Sequence, residues 1–256
     1  MPASRTRPPA ATAVPPPRVV FSLLTLVLLA GACLLTYATH EVYEAVTEGD
    51  GIAALDHPAL REAFAVRSPA STSIATALTF LGGRIGNPLI ALVVLVLACW
   101  RRRDAEPAML LVPALLGSLV VTIVGKRLIG RVRPPRELAL PPFETSPSFP
   151  SGHTLNATVL AVIAGYIALR MIRSRWGRAT TVAGCALSAL GVGLSRVYLG
   201  QHWLTDVIAG MLIGIAWALS VIAAYRVHLA LRRRRADEAA IGAEAEARVE
   251  TETETA

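Results

Sequence analysis

Residues 109–133 read MLLVPALLGSLVVTIVGKRLIGRVR. The stretch 109–125 carries no charge, and Lys126, Arg127, Arg131 and Arg133 follow it closely. An uncharged apolar block of this kind approaches the ~20 residues that a helix needs to cross ~30 Å of hydrocarbon. Cations at one end are what hold such a helix at the membrane surface. Five further blocks flank it, at 19–38, 78–100, 154–172, 179–194 and 203–225. The expected fold class is therefore all-α, a polytopic membrane protein with six transmembrane helices in a bundle. Gly82, Gly83, Gly86 and Pro88 are expected to break the start of the second block, so that its span begins near Asn87.

Composition points the same way. Mean hydropathy is +0.52 and apolar residues make up 54% of 256, although both ends of the chain are polar. Length alone suits one or two soluble domains, but apolar residues gathered in long blocks do not. The net charge of +7 sits mostly in short clusters between blocks, where it sets topology. With 5% aromatic residues and no stacking platform, no nucleic-acid partner is expected. Cys33, Cys99 and Cys185 each lie inside an apolar block. An odd, scattered set has neither a disulfide framework nor metal-ligand spacing, so these read as small core residues.

Three regions follow. Residues 1–17, rich in Pro and Ala, read as a disordered tail; 18–231 form the six-span domain; 232–256 are a basic stop and then a disordered acidic tail. The 19–38 block competes with a signal peptide cut near Ala30, Gly31 and Ala32, but its length and the spans after it favour an anchor. Residues 39–70 carry Glu41, Glu44, Glu48, Asp50, Asp56 and Glu62 and are expected outside, with a short surface helix.

An N-terminus inside places Arg101, Arg102 and Arg103, then Arg170, Arg173, Arg175 and Arg178, then the arginines at 232–235, in the cytoplasm, as positive-inside topology requires. Both termini are then cytoplasmic, in a plasma membrane. Lys126, Arg127, Arg131, Arg133, Arg136 and Arg196 fall on the other side, and they need another explanation.

Three short constellations lie at those outer ends. They are Lys126 with Arg133-Pro134, then Pro150-Ser151-Gly152-His153, then Ser195-Arg196 with His202 and Asp206. Lys126, Arg133 and Arg196 are cations at span ends, costly where they reach toward the membrane centre, and three converging cations suit a phosphate. Ser151 and Gly152 precede an apolar helix, where free N–H groups and the helix dipole favour an anion. Gly152 also permits close approach of the backbone. His202 and Asp206, four residues apart, share a helix face. The carboxylate takes the proton of one ring nitrogen and leaves the other as a nucleophile. His153, from a different span, is then the candidate general acid.

Blander readings apply to the rest. His40, His57 and His228 read as interfacial polar anchors, Arg127, Arg131 and Arg136 as span-end charges, and Asp206 alone is equally a partner for an arginine. Any one constellation is weak, whereas three in order at one depth are not. Of the 25 Lys and Arg residues, only Lys126 is a lysine.

These three constellations resemble the motifs of the type 2 phosphatidic acid phosphatase (PAP2) family, which shares its active site with vanadium-dependent haloperoxidases. They match at every defining position across 126–206, and the span layout extends the likeness to about 75–225. The resemblance implies that Lys126, Arg133 and Arg196 bind phosphate with Ser151 and Gly152. It implies that His202 forms a phosphohistidine, that Asp206 orients it, and that His153 protonates the leaving alkoxide and then activates water. It implies no metal and no other cofactor. The expected function is a metal-independent membrane lipid phosphate or pyrophosphate phosphatase at the outer face. Its substrate would be a polyprenyl pyrophosphate, or a glycerolipid such as phosphatidic acid or phosphatidylglycerol phosphate. A phosphotransferase using the same histidine and a non-catalytic protein of the same fold are the alternatives. A haloperoxidase is disfavoured because those relatives are soluble.

Overall fold

A computed structural model of the chain describes residues 17–254, so the expected tail at 1–17 lies outside the described residues except for Pro17, which begins the first helix. Its helices are α1 (Pro17–Glu48), α2 (Asp56–Ala65), α3 (Pro69–Leu81), α4 (Gly86–Arg102), α5 (Glu106–Ile129), α6 (Gly152–Leu169), α7 (Arg175–Tyr198) and α8 (Leu204–Glu254). Short 3-10 turns occupy Gly51–Leu55 and Arg136–Leu138, and no strand occurs among the described residues.

By length and composition α1, α5, α6, α7 and α8 can each cross a membrane, and α3 with α4, bent by 57° at their junction, are apolar and long enough together to form a broken sixth span or a re-entrant loop. The break falls where the glycines predict it. A Cβ at Gly86 would lie 2.1 Å from Phe80 O, so the chain bends into α4 only where no side chain is present. Large apolar side chains that would be anomalous on a soluble protein, such as Leu116 (61% exposed) and Leu187 (68% exposed), point outward where lipid replaces water.

The core lies between α5, α6 and α8 and is filled by Leu110, Leu111, Leu155, Val159, Ile163, Ala218 and Ile222. Small residues set these helix spacings, as in membrane helix pairs generally. At Gly210 and Gly214 of α8, a Cβ would meet the α6 backbone at Ser151 O and Leu155 O, each 2.9 Å away. At the opposite end from the candidate residues, Glu106 joins Arg102 to Arg170 and ties α4, α5 and α6 together.

Two helices outrun their expected limits. Helix α1 continues past 38 to Glu48, because Val42 is buried against Phe149 and Ala209 and Tyr43 stacks near Phe149. The 39–70 segment is thus mostly helical: the end of α1, a 3-10 turn and α2. Helix α8 continues to Glu254 instead of giving way to a disordered acidic tail. The sequence beyond 231 is dominated by Ala, Glu and Arg, all strong helix formers.

Candidate active site

Two loops meet at one end of the bundle: 130–151, joining α5 to α6, and 199–203, joining α7 to α8. Helix α5 stops at Gly130, whose φ of 64° is a left-handed cap that turns the chain back. Backbone pairing of Leu140 N–H with Leu199 O (2.8 Å), and the Gln201 Nε2–H bond to Leu140 O (2.7 Å), clamp the loops to each other.

His202 sits in the second loop and is 1% exposed. Its Nδ1 lies 3.2 Å from Asp206 Oδ2, one turn along at the start of α8. Its Nε2 lies 3.1 Å from Arg133 Nη1. Since a guanidinium only donates, Nε2 is the accepting nitrogen and Nδ1–H donates to the carboxylate. Burial pushes the ring down to about 3, partly opposed by the hydrogen bond and charge of Asp206 and reinforced by Arg133 and Arg196, so at neutral pH the imidazole is uncharged.

The cations gather round this nitrogen. Arg133 Nε donates to Ser146 O at 2.7 Å, and its Nη2 donates to Ser146 Oγ at 3.2 Å and Pro147 O at 3.3 Å. Burial draws its pKa down while Glu144 and Asp206 pull it back. Lys126 Nζ donates to Pro147 O. Arg196 is fully buried; it donates to Thr79 Oγ1 at 2.6 Å, its Nη2 lies 3.4 Å from Glu144 Oε1, and its Nε has no partner. His153, in the first turn of α6, has Nδ1 3.7 Å from the same Glu144 oxygen.

A cavity of about 590 Å³ opens on this cluster. Lys126, Arg133, Glu144, Gly152, His153 and His202 line its polar end, and Pro88, Leu115, Leu116, Leu119 and Ile123 of α4 and α5 line its apolar end. Seven of the eight candidate residues are thus gathered in or directly behind one cavity end. Ser151 is turned away: its hydroxyl pairs with Thr154 Oγ1 at 2.8 Å and its N–H donates to Asp206 O at 3.0 Å. It braces the two loops, and Gly152 presents the helix N-terminus instead.

Several functional contacts escaped the sequence reading. Glu144, which faces Arg196 and His153, carried no spacing signal. Ser148 and the Trp203 N–H both donate to Asp206 Oδ2, the latter at 3.0 Å. Arg131, taken above as a span-end charge, donates through Nη1 to Asp206 Oδ1 at 2.7 Å. The one available signal was its place in the basic group on the outer side.

Residues 107–230 match the PAP2 superfamily. Phosphatidylglycerophosphatase B of Bacillus subtilis is 28% identical over 197 residues, 76% of this chain and 88% of that protein. An undecaprenyl-diphosphatase of Sulfolobus acidocaldarius is 32% identical over 136 residues, 51% of this chain and 61% of that protein. The crystal structure of a transmembrane PAP2 type phosphatidylglycerolphosphate phosphatase from Bacillus subtilis superimposes with a TM-score of 0.61 at 26% identity, covering 79% of this chain and 92% of that one. The matched segment, 107–230, holds every candidate residue of the site.

Proposed function

We propose that this protein is a membrane lipid phosphate phosphatase that works through a phosphohistidine on His202. The observation that carries the reading is the two-sided environment of that ring. Asp206 holds the Nδ1 proton, and Nε2 faces a cavity end where Lys126, Arg133 and the α6 N-terminus converge. Nε2 attacks phosphorus, the bond from phosphorus to the lipid oxygen breaks, and His153 protonates the departing oxygen. His153 then takes a proton from water, which attacks the phosphohistidine, releases inorganic phosphate and restores His202. Lys126, Arg133 and Arg196 neutralise the charge on the transferring group. Arg196 acts from behind the cavity wall, through the side now facing Glu144.

The apolar end of the cavity supports an amphiphilic substrate, because its walls on α4 and α5 continue into lipid-facing surface and a lipid tail can stay in hydrocarbon while its phosphate reaches His202. The names of the relatives support a glycerolipid phosphate or a polyprenyl diphosphate as that substrate. The arginine-rich ends at 101–103 and 170–178 lie opposite the site. This supports an extracytoplasmic active site in the plasma membrane with both termini cytoplasmic.

The test is phosphate release by detergent-purified protein in excess EDTA, with phosphatidylglycerol phosphate, undecaprenyl pyrophosphate and phosphatidic acid compared and His202→Ala as blank. Release above the blank from at least one lipid is expected, with water as acceptor even when a short alcohol is added. No release from any of them would sink the reading.

A further inference from the structure

Asp206 holds His202, yet the groups that hold Asp206 come largely from outside the three constellations. Arg131 donates through Nη1 to Asp206 Oδ1 at 2.7 Å, and through Nη2 to Asp56 Oδ2, also at 2.7 Å. Asp56 belongs to α2, far from the motifs in sequence, and is 3% exposed. Its Oδ1 accepts the backbone N–H of Thr205 at 2.8 Å, and its Oδ2 accepts the Thr205 hydroxyl at 2.7 Å. The same hydroxyl accepts from Arg131 Nη1 at 2.8 Å, which closes the ring of contacts.

We infer that Asp56 and Arg131 are positioning residues that set the orientation and effective charge of Asp206 behind His202; this rests on the hydrolytic reading proposed above. Two carboxylates share one guanidinium in a buried site, so neither is fully neutralised by it. Asp56 draws on one face of Arg131 and thereby limits how far the other face competes with His202 for Asp206. Asp56 also caps the first turn of α8, the helix that carries Asp206, and so fixes the carboxylate relative to the loop that carries His202. A guanidinium suits this position because its fork donates to both acids at once, which a lysine ammonium cannot do in the same plane. The ring itself also feels Arg133, Arg196 and His153, and a change at Asp56 reaches it through Arg131 and Thr205, both of which act on Asp206.

The test uses full-length Asp56→Asn and Arg131→Lys. Asn keeps the shape of Asp and an oxygen for the Thr205 N–H, and Lys keeps the charge of Arg. For each, kcat and KM are measured per mole of folded protein, together with the rate of phosphoenzyme formation in a rapid-quench experiment. Phosphoenzyme formation and kcat are expected to fall by on the order of 10-fold with KM nearly unchanged, the scale at which groups behind a histidine act. Unchanged kcat in both variants overturns the inference, as does a fall explained entirely by loss of folded protein. A second readout needs no turnover: 15N shifts of selectively labelled His202 at pH 7. The Nδ1–H tautomer is expected to dominate in the wild type and to lose population in both variants, and an unaltered tautomer ratio contradicts the role. If the wild type releases no phosphate, the hydrolytic reading fails, while the tautomer measurement still decides the positioning one.

Discussion

Arg133 Nη1 lies 3.1 Å from His202 Nε2, the ring nitrogen left without a proton by the Asp206 contact on the other side. On the reading proposed above, an incoming phosphoryl group would replace this contact with a phosphate oxygen on the guanidinium and phosphorus against Nε2. The guanidinium of Arg133 is oriented by the carbonyls of Ser146 and Pro147, which accept from Nε and Nη2, and by Gln201 O, which accepts from Nη1.

Replacing His202 with Ala should reduce turnover to the level of a protein-free control, because Nε2 of His202 is the nitrogen that Asp206 leaves unprotonated beside Arg133. His153→Ala should cost about 10²–10⁴-fold with a lipid alkoxide as leaving group, the usual contribution of a general acid. It should cost much less with p-nitrophenyl phosphate, whose leaving group needs no proton. Equal losses on the two substrates would remove His153 from the acid role.

The depressed His202 value has a clear sign. Its pKa is lowered to about 3 from the ordinary 6.5, so the folded ring stays neutral through the range in which a free imidazole gains its proton. At pH 5, 15N shifts of labelled His202 should be those of a neutral ring. The unfolded chain binds the extra proton there and the folded one does not, so this residue makes stability fall as pH drops from 6.5 toward 3. A ring found half-protonated near pH 6.5 would contradict the burial argument.

Glu144 lays a carboxylate oxygen 3.4 Å from Arg196 Nη2 and 3.7 Å from His153 Nδ1, at the place where an anion is to bind. Glu144→Gln should therefore tighten competitive inhibition by inorganic phosphate, by several-fold in Ki. Weaker inhibition would mean that the carboxylate organises the cations more than it competes for them.

Gly214 packs against the α6 backbone well away from His202. A Cβ there would come within 2.9 Å of Leu155 O, a backbone atom that cannot swing aside. Gly214→Ala should cost about 1–3 kcal/mol of packing and lower the thermal midpoint in detergent by several degrees. An unchanged midpoint would show that α6 and α8 separate more easily than their contact suggests.

Orientation is tested at Thr145, an exposed residue in the 130–151 loop. With the three native cysteines replaced, Thr145→Cys should react with an impermeant maleimide in intact cells. Labelling only after permeabilisation would place the site on the inner face.

Much of this arrangement is legible in the chain. Hydropathy blocks located the five helices able to span and the bent α3–α4 pair, and Gly82, Gly83 and Gly86 marked the break in that pair, because both signals depend only on neighbouring residues. His202 and Asp206 were readable as a pair because four residues along a helix means one face. The far reach of α1 was not, since residues 39–48 are polar enough for a loop and become helical against Phe149. Ser151 was assigned to phosphate by its place before α6, but its hydroxyl found Thr154 nearer than the cavity.

By itself the sequence determined the apolar helices, the end of the bundle at which the motif residues gather, and the pairing of His202 with Asp206. Only the tertiary structure decided what surrounds them: Glu144 opposite Arg196, Arg133 on Nε2, and Asp56 bound through Arg131 to Asp206. The reason is physical. Hydropathy and helical spacing act over a few residues, whereas Asp56 and Thr205 are 149 residues apart. A buried charge takes whichever partner the packed helices bring within 3 Å, and that choice is made only when α2 closes over the start of α8.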